Sequence, residues 1–169
     1  MMLNHFLYGR GNVRNIDFKR FINDNPSAQR LRNENLNSFM EATEMLAENG
    51  TTIKLGMINC VATCVSPESQ FEGMTDDWWF TVGTAEGWLN AEVTRSGNRY
   101  TAHVYYNLWD FYDWEPGSDL VGGLVTDGEM AMLHAAGVAK EYEIRGLYEM
   151  RLTWSVGQRV NSGAVFTDW

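Results

Sequence analysis

The feature that most constrains the fold is the regular alternation of side chains between Arg99 and Trp109. One set of alternate positions is apolar or aromatic, and its members are Tyr100, Ala102, Val104, Tyr106 and Leu108. Because successive side chains of a strand point to opposite faces, this pattern predicts a strand with one buried face. Ser96-Gly97-Asn98 directly before it predicts a compact hairpin turn from a strand over residues 87–94. The chain must therefore bury one face of an antiparallel sheet.

The remaining elements are predicted from weaker patterns. Further strands are expected at residues 78–82, 141–146 and 148–154. A helix is expected after Pro26, ending before Asn49-Gly50, and a second helix of about three turns is expected to run through residue 139. A capping box at Thr126 and Glu129 opens the second helix.

The first part of the chain has little regular patterning. Residues 9–25 are polar, and residues 51–65 fit either a strand or a helix. We divide the chain into an N-terminal helical or irregular segment, residues 1–70, and a β-rich domain, residues 71–169, that carries the chemistry. The predicted class is α+β: an N-terminal helical segment followed by an antiparallel, partly open β-barrel-like sheet with one inserted helix.

The net charge of −9 is concentrated in the second part of the chain. Residues 1–60 carry seven Lys or Arg against six Asp or Glu, hence +1, whereas residues 61–169 carry six against sixteen, hence −10. Phosphate backbones repel such a surface, so general nucleic-acid binding is not expected. No apolar run reaches the ~20 residues that span a bilayer. The first residues do not predict a secretory signal, and we expect a monomer.

Two cysteines, Cys60 and Cys64, lie four residues apart. The alternatives are two small buried side chains, or a bridge in an oxidising compartment. The chain has no second cysteine pair and only three histidines, so a structural zinc site is not expected.

The most distinctive chemistry lies in the seven residues from Asp110 to Pro116, which hold three carboxylates and a phenol where the aromatic strand ends. Asp110 and Tyr112 point to one face of a strand and Asp113 to the other, so a bend is needed to bring them together. Crowded carboxylates share a proton or hold a divalent cation. We therefore predict Asp110 and Asp113 as metal ligands, Asp113 also as a general base, and Tyr112 as an orienting group. The alternative is a solvated strand end.

Two more residues are candidates for the same site. His134 lies on the apolar stripe of the second helix and is either a structural imidazole or a partner for a strand-end carboxylate. Arg145 is either a partner of Glu143 or a phosphate-binding group. Tryptophans 78, 79 and 88 are interpreted as core or hairpin packing, with a sugar- or lipid-facing patch as the alternative.

The segment Asp-x-Tyr-Asp-aromatic-x-Pro resembles the motif of the colicin M family of bacteriocin toxins. The order of a Trp-Phe-Thr-Val-Gly segment, a hairpin, this motif, a helix and a Tyr-Glu-Ile strand is also similar, over roughly residues 77–154. The resemblance implies an open-barrel domain and a metal-dependent, generally Mg²⁺-requiring, phosphodiesterase. Asp110, Tyr112 and Asp113 match the motif. The family's His-Arg pair is replaced by Gly117-Ser118-Asp119-Leu120, so His134 and Arg145 are our substitutes for it.

The function that the resemblance implies is an antibacterial toxin domain that hydrolyses lipid II, the undecaprenyl-linked peptidoglycan precursor. It would be secreted or delivered by another system, act in the periplasm of target bacteria, and have a cognate immunity protein. Two alternatives stay open. One is a non-enzymatic acidic protein-binding module of immunity or structural type, and the other is a metal-dependent nuclease toxin.

Overall fold

The computed structural model describes residues 2–64, 84–113 and 127–169. The helices are α1 (Met2–Tyr8), α2 (Phe18–Asp24), α3 (Pro26–Leu46) and α4 (Asp127–Ala135). The strands are β1 (Arg14–Ile16), β2 (Thr52–Cys64), β3 (Thr84–Ser96), β4 (Arg99–Tyr112), β5 (Tyr142–Ser155) and β6 (Val165–Asp168). The α+β class predicted from the sequence is confirmed.

The six described strands form one open sheet in the order β1-β5-β4-β3-β2, with β6 also paired to β5. Neighbouring strands from β2 to β5 are antiparallel, as expected. The sheet is nevertheless mixed, because β1 runs parallel to β5, and it is not closed into a barrel. β1 and β6 pair with different stretches of β5. The N-terminal segment thus contributes a strand that its polar sequence did not predict.

The hairpin and the alternating strand are as the sequence predicted. β3 and β4 pair from Ser96 opposite Arg99 to Glu86 opposite Trp109. Gly97 has a φ of 59°, the left-handed conformation that a tight hairpin turn requires. The even-numbered positions of β4 from 100 to 108 are buried, and the odd-numbered positions between them are only partly buried. The sheet therefore has one core face and one polar, aromatic face.

The hydrophobic core lies between the core face and the helices. Phe6 of α1, Phe21 of α2, Phe39 of α3 and Met130 of α4 all belong to this one cluster. Each fully buried large side chain of this kind contributes about 1.5–3 kcal/mol by leaving water. The first fifty residues and the sheet consequently share a core. The predicted division at residue 70 falls within residues 65–83, outside the described part of the chain.

β5 is one strand of fourteen residues, whereas the sequence predicted two strands, the first ending at Gly146. Gly146 lies inside the strand, opposite Leu108. It is a glycine because Phe18 packs directly on it. A Cβ added at Gly146 would lie 2.7 Å from the Phe18 Cβ, closer than real Cβ contacts. The glycine marks a close approach of a helix to the sheet rather than a break in the strand.

The two long predicted helices have different outcomes. α3 begins at Pro26 and ends at Leu46, as predicted. α4 ends at Ala135 rather than at residue 139, because Gly137 takes a φ of 72° and the Val138 N–H bonds back to the Leu133 carbonyl. The predicted strand at residues 78–82 and the capping residue Thr126 lie outside the described residues.

No described helix combines the length and apolar character that crossing a bilayer requires.

Candidate active site

The candidate site is built where β4 ends against the beginning of β5. Tyr112, the last residue of β4, pairs with Tyr142, the first residue of β5, and Asp110 pairs with Ile144. Asp110 and Tyr112 occupy even-numbered positions and so point to the same face of the sheet, as the alternation predicted. Phe111 between them is exposed on the other face.

Aromatic rings form one wall of this site. The rings of Tyr112 and Tyr142 stack with centroids 4.9 Å apart and an interplanar angle of 19°. The His5 ring of α1 meets the Tyr142 ring edge-on at 4.4 Å, and Phe6 lies 6.2 Å from Tyr112. These contacts, together with the pairing of β4 to β5, hold both phenols in fixed positions beside Asp110.

Asp110 is the most perturbed carboxylate of the site. Its side chain is only partly exposed, and Oδ1 accepts a hydrogen bond of 2.8 Å from the Phe111 N–H. Burial, helped by the nearby Asp113 carboxylate, raises the pKa of Asp110 to about 7 against the lowering effect of that hydrogen bond. Near neutral pH Asp110 is therefore about half protonated, and a nearby cation would stabilise its charged form.

Asp113 lies immediately after β4 with an exposed side chain. The protein still removes part of its hydration, and this loss, followed by the effect of the Glu141 carboxylate, raises the pKa of Asp113. Asp113 thus raises the pKa of Asp110, and its own pKa is raised by Glu141. Three carboxylates from two adjoining chain segments lie within electrostatic range of one another.

The imidazole of His134 is next to Glu141 rather than next to either aspartate. Nδ1 of His134 accepts a hydrogen bond of 3.2 Å from the Glu141 N–H, and Nε2 lies 3.7 Å from Glu141 Oε2. Because Nδ1 is an acceptor, this arrangement assigns the proton of the neutral ring to Nε2, facing the carboxylate. His134 orients Glu141, and through it reaches the neighbourhood of Asp113.

The tyrosine of β5 is also perturbed. Burial, followed by the nearby Tyr112 and Asp110, raises the pKa of Tyr142 far above its ordinary value. The phenol of Tyr142 therefore stays protonated at neutral pH, and since the residue is only 1% exposed, it supports Tyr112 from inside the core.

Arg145 is separated from this site by the sheet. It occupies an odd-numbered position of β5 opposite Trp109, on the polar face, whereas Asp110 points to the core face. Its Nε and Nη2 atoms donate to Glu143 Oε2 at 2.9 and 2.5 Å, the pairing that the sequence favoured. The alternation of β5 therefore keeps Arg145 away from Asp110, and the predicted phosphate-binding role beside Asp110 is wrong.

Within the described residues, no group of three His, Cys, Asp or Glu side chains is placed to hold a metal ion. Asp110 and Asp113 remain the predicted pair of ligands. A pair is compatible with Mg²⁺, which is commonly held by one or two carboxylates together with substrate phosphates and water. Cys60 and Cys64 both lie in β2, opposite Gly87 and Thr84, in a stretch with a register shift.

Sequence reasoning missed three members of the site: Glu141, Tyr142 and His5. Glu141 and Tyr142 stand at the start of a predicted strand, which is the available signal, but the register that places them opposite Tyr112 is a tertiary property. His5 comes from a segment without recognisable pattern, and its Nε2 is within 2.8 Å of the Asn12 carbonyl oxygen.

Comparisons of the chain with protein-family models, with curated proteins and with solved structures gave no match.

Proposed function

We propose that the protein is an antibacterial toxin domain that hydrolyses lipid II, the undecaprenyl-pyrophosphate-linked peptidoglycan precursor, in a Mg²⁺-dependent phosphodiesterase reaction. The observation that carries the proposal is the state of Asp110. A carboxylate withdrawn from water, next to a second aspartate, lowers the stability of the fold in its charged form. Such groups are concentrated at functional sites.

The proposed cofactor follows from the same electrostatics. Asp110 and Asp113 would hold Mg²⁺, because a cation can take the place of the proton that burial favours on Asp110. The bound ion supplies charge neutralisation at the phosphoryl oxygens.

The side chains of the site have different roles in the proposed reaction. Asp113, the more exposed carboxylate, takes the proton of the attacking water as that oxygen bonds to phosphorus. The bond between phosphorus and the polyprenyl oxygen then breaks, and the leaving oxygen is protonated from solvent. The partly exposed Tyr112, whose ring is held by stacking on the buried Tyr142, orients a phosphoryl oxygen. Glu141, oriented by His134, keeps the proton affinity of Asp113 high.

The direct test uses purified lipid II with and without Mg²⁺. The wild-type protein should release the pyrophosphorylated headgroup only with Mg²⁺, and Asp113→Ala and Asp110→Asn should each lower the rate by at least about a hundredfold. Glu41→Gln, which removes an exposed carboxylate from α3, is the matched control and should keep full activity. Unchanged release by Asp113→Ala would refute the assignment.

Expression directed to different compartments separates this proposal from its alternatives. A wall-targeting toxin lyses cells only when it is sent to the periplasm, and a cognate immunity protein should prevent the lysis. Killing from the cytoplasm would instead identify a nuclease. Absence of toxicity in both compartments, with salt-sensitive capture of a basic protein, would identify an acidic binding module.

A further inference from the structure

The polar face of the sheet carries a cavity that the proposed active site does not use. Its volume is about 620 Å³, within the roughly 300–1,000 Å³ usual for small-molecule sites. Among the side chains that line it are Trp88, Asn107, Trp109, Leu147, Arg145 and Asn15. They come from β3, β4, β5 and β1, so the cavity is a trough across four strands. Three interstrand spacings of about 4.8 Å give it a length of about 14 Å.

The helices do not cover this trough in the described part of the chain. The buried apolar residues of α1 to α4 all join the core on the opposite face. The buried residues Ala85, Leu89 and Ala91 stand at odd-numbered positions of β3. Trp88 stands at an even-numbered position and therefore points away from the core. Both Trp88 and Trp109 remain partly exposed. Large aromatic side chains left partly exposed on a sheet face are a feature of binding surfaces.

The two indoles are neighbours on the polar face. Trp88 pairs with Asn107, two residues before Trp109 on β4, so the two tryptophans are diagonal neighbours. Diagonal neighbours on adjacent strands are about 7–8 Å apart, twice the usual carbon–carbon contact distance of about 3.5–4.0 Å. This spacing of the two positions leaves room for one ring between the side chains. Within the described residues, neither indole stacks on another ring or donates its N–H.

The polar groups of the trough suit a neutral ligand rich in hydroxyl groups. Among the described residues, Arg145 is the only charged side chain that lines it, and Glu143 already neutralises this guanidinium. The Asn107 carboxamide donates to the Tyr105 carbonyl, which leaves its Oδ1 as an acceptor, and Asn15 stands beside Arg145 in register. Carboxamide acceptors and donors thus lie along the trough beside the indoles. A net charge of −9 further disfavours a polyanion.

We infer that this trough binds a neutral oligosaccharide, with one pyranose ring between Trp88 and Trp109 and the following residues along Asn107, Asn15 and Arg145. The C–H groups on a pyranose face carry partial positive charge and pack on the negative faces of indoles. The hydroxyl groups exchange hydrogen bonds with the carboxamides. This inference does not rest on the proposed hydrolase, because the trough and Asp110 lie on opposite faces of the sheet.

The test is a titration of the wild-type protein with three neutral trisaccharides: triacetylchitotriose, cellotriose and maltotriose. Calorimetry should show saturable binding of at least one at millimolar concentration or below. In ¹H–¹⁵N spectra, the indole N–H signals of Trp88 and Trp109 should shift. The signal of Trp154, whose Nε1 is bonded to Glu44 inside the protein, should not.

Variants locate the binding. Trp88→Ala and Trp109→Leu should each weaken the affinity by about tenfold. Trp169→Ala, which removes an exposed indole outside the trough, should leave it unchanged. No binding of any trisaccharide, or binding that is equal in Trp88→Ala and wild type, would overturn the inference. So would binding of adenosine monophosphate in place of the sugars, since that result would make the trough a nucleotide site.

Discussion

Replacing Asp110 by asparagine should make the protein more stable at neutral pH, although it should abolish hydrolysis. The pKa of this carboxyl rises from an ordinary 3.8 to about 7 in the folded protein. Each pKa unit corresponds to about 1.4 kcal/mol, so the charged form costs at most about 4 kcal/mol of folding stability. Asparagine places its own carboxamide N–H groups in the same partly buried site, which offsets part of this gain, and we expect a net difference of about 2 kcal/mol.

The pH at which the difference appears follows from linkage. Below about pH 4, Asp110 is protonated in both the folded and the unfolded chain and costs nothing. Between about pH 4 and about pH 7 the unfolded chain loses this proton while the folded protein keeps it, so stability falls as the pH rises. Above about pH 7 the full cost is present. Asparagine never ionises, and its Oδ1 can still accept the hydrogen bond from Phe111 N–H.

Urea denaturation of both proteins, without divalent cations, measures the effect. Asp110→Asn should exceed the wild type by about 2 kcal/mol at about pH 8 and by less than about 1 kcal/mol at about pH 5. The other titrating groups are common to both proteins and cancel in the difference. Glu41→Gln, at an exposed position, should show no such pH-dependent gain. A constant difference between Asp110→Asn and wild type would refute the reasoning.

Three further predictions concern the fold. Gly146→Ala should cost about 1–3 kcal/mol of stability in urea denaturation, because its Cβ would lie 2.7 Å from Phe18 Cβ. The control is Gly56→Ala, whose Cβ would meet nothing within 4 Å. An equal cost at both sites would contradict the packing of Phe18 on Gly146. Glu44→Ala should cost about 2–3 kcal/mol of stability, since Glu44 accepts hydrogen bonds from Trp154 Nε1 at 3.1 Å and Arg159 Nη1 at 2.9 Å. Glu41→Ala, at an exposed position, should change the stability by no more than about 0.5 kcal/mol. A similar loss from both variants would show that these bonds do not stabilise the fold. Tyr100→Phe should be neutral or stabilising by up to about 1 kcal/mol, because the buried hydroxyl has no hydrogen-bond partner among the described residues. Tyr148→Phe should instead lose about 1 kcal/mol of stability, because it removes the hydrogen bond to Asp168. If thermal or urea unfolding showed Tyr100→Phe to be less stable than Tyr148→Phe, this account would be excluded.

The sequence predicted those parts of the fold that are set by local patterns. The alternation of residues 99–109 identified β4 and its buried face, and the three- and four-residue apolar spacings after Pro26 identified α3. Each pattern extends over at least ten residues, so tertiary contacts did not override it. β1 has only three residues, which is too short for a period to be visible, and its pairing with β5 is a tertiary property.

Gly146 shows how a local signal can mislead. Glycine in a strand pattern indicates either an end or a close approach of another chain segment, and the sequence alone does not distinguish them. The structure shows the second case, because Phe18 occupies the space where a side chain would lie. The residue that decides the meaning of the glycine is 128 positions away in the sequence, as their numbers show.

The sequence also predicted only part of the candidate site. Asp110 and Tyr112 share a face because alternation requires it, and the prediction holds. The same rule separates Arg145 from them, since it stands at an odd position of a strand whose even positions are buried. Glu141 and Tyr142 could not be found without the register of β4 against β5. His134 reaches a carboxylate as expected, but the carboxylate is Glu141.

The most direct test of the account is a carboxyl-carbon NMR titration of Asp110, first without and then with Mg²⁺. We expect the pKa of Asp110 to be about 7 in the metal-free protein. We also expect Mg²⁺ to lower it by at least about one unit, because a bound cation favours the ionised form. A pKa near the ordinary 3.8, unchanged by Mg²⁺, would contradict the claim that this strand end is a cation-binding active site.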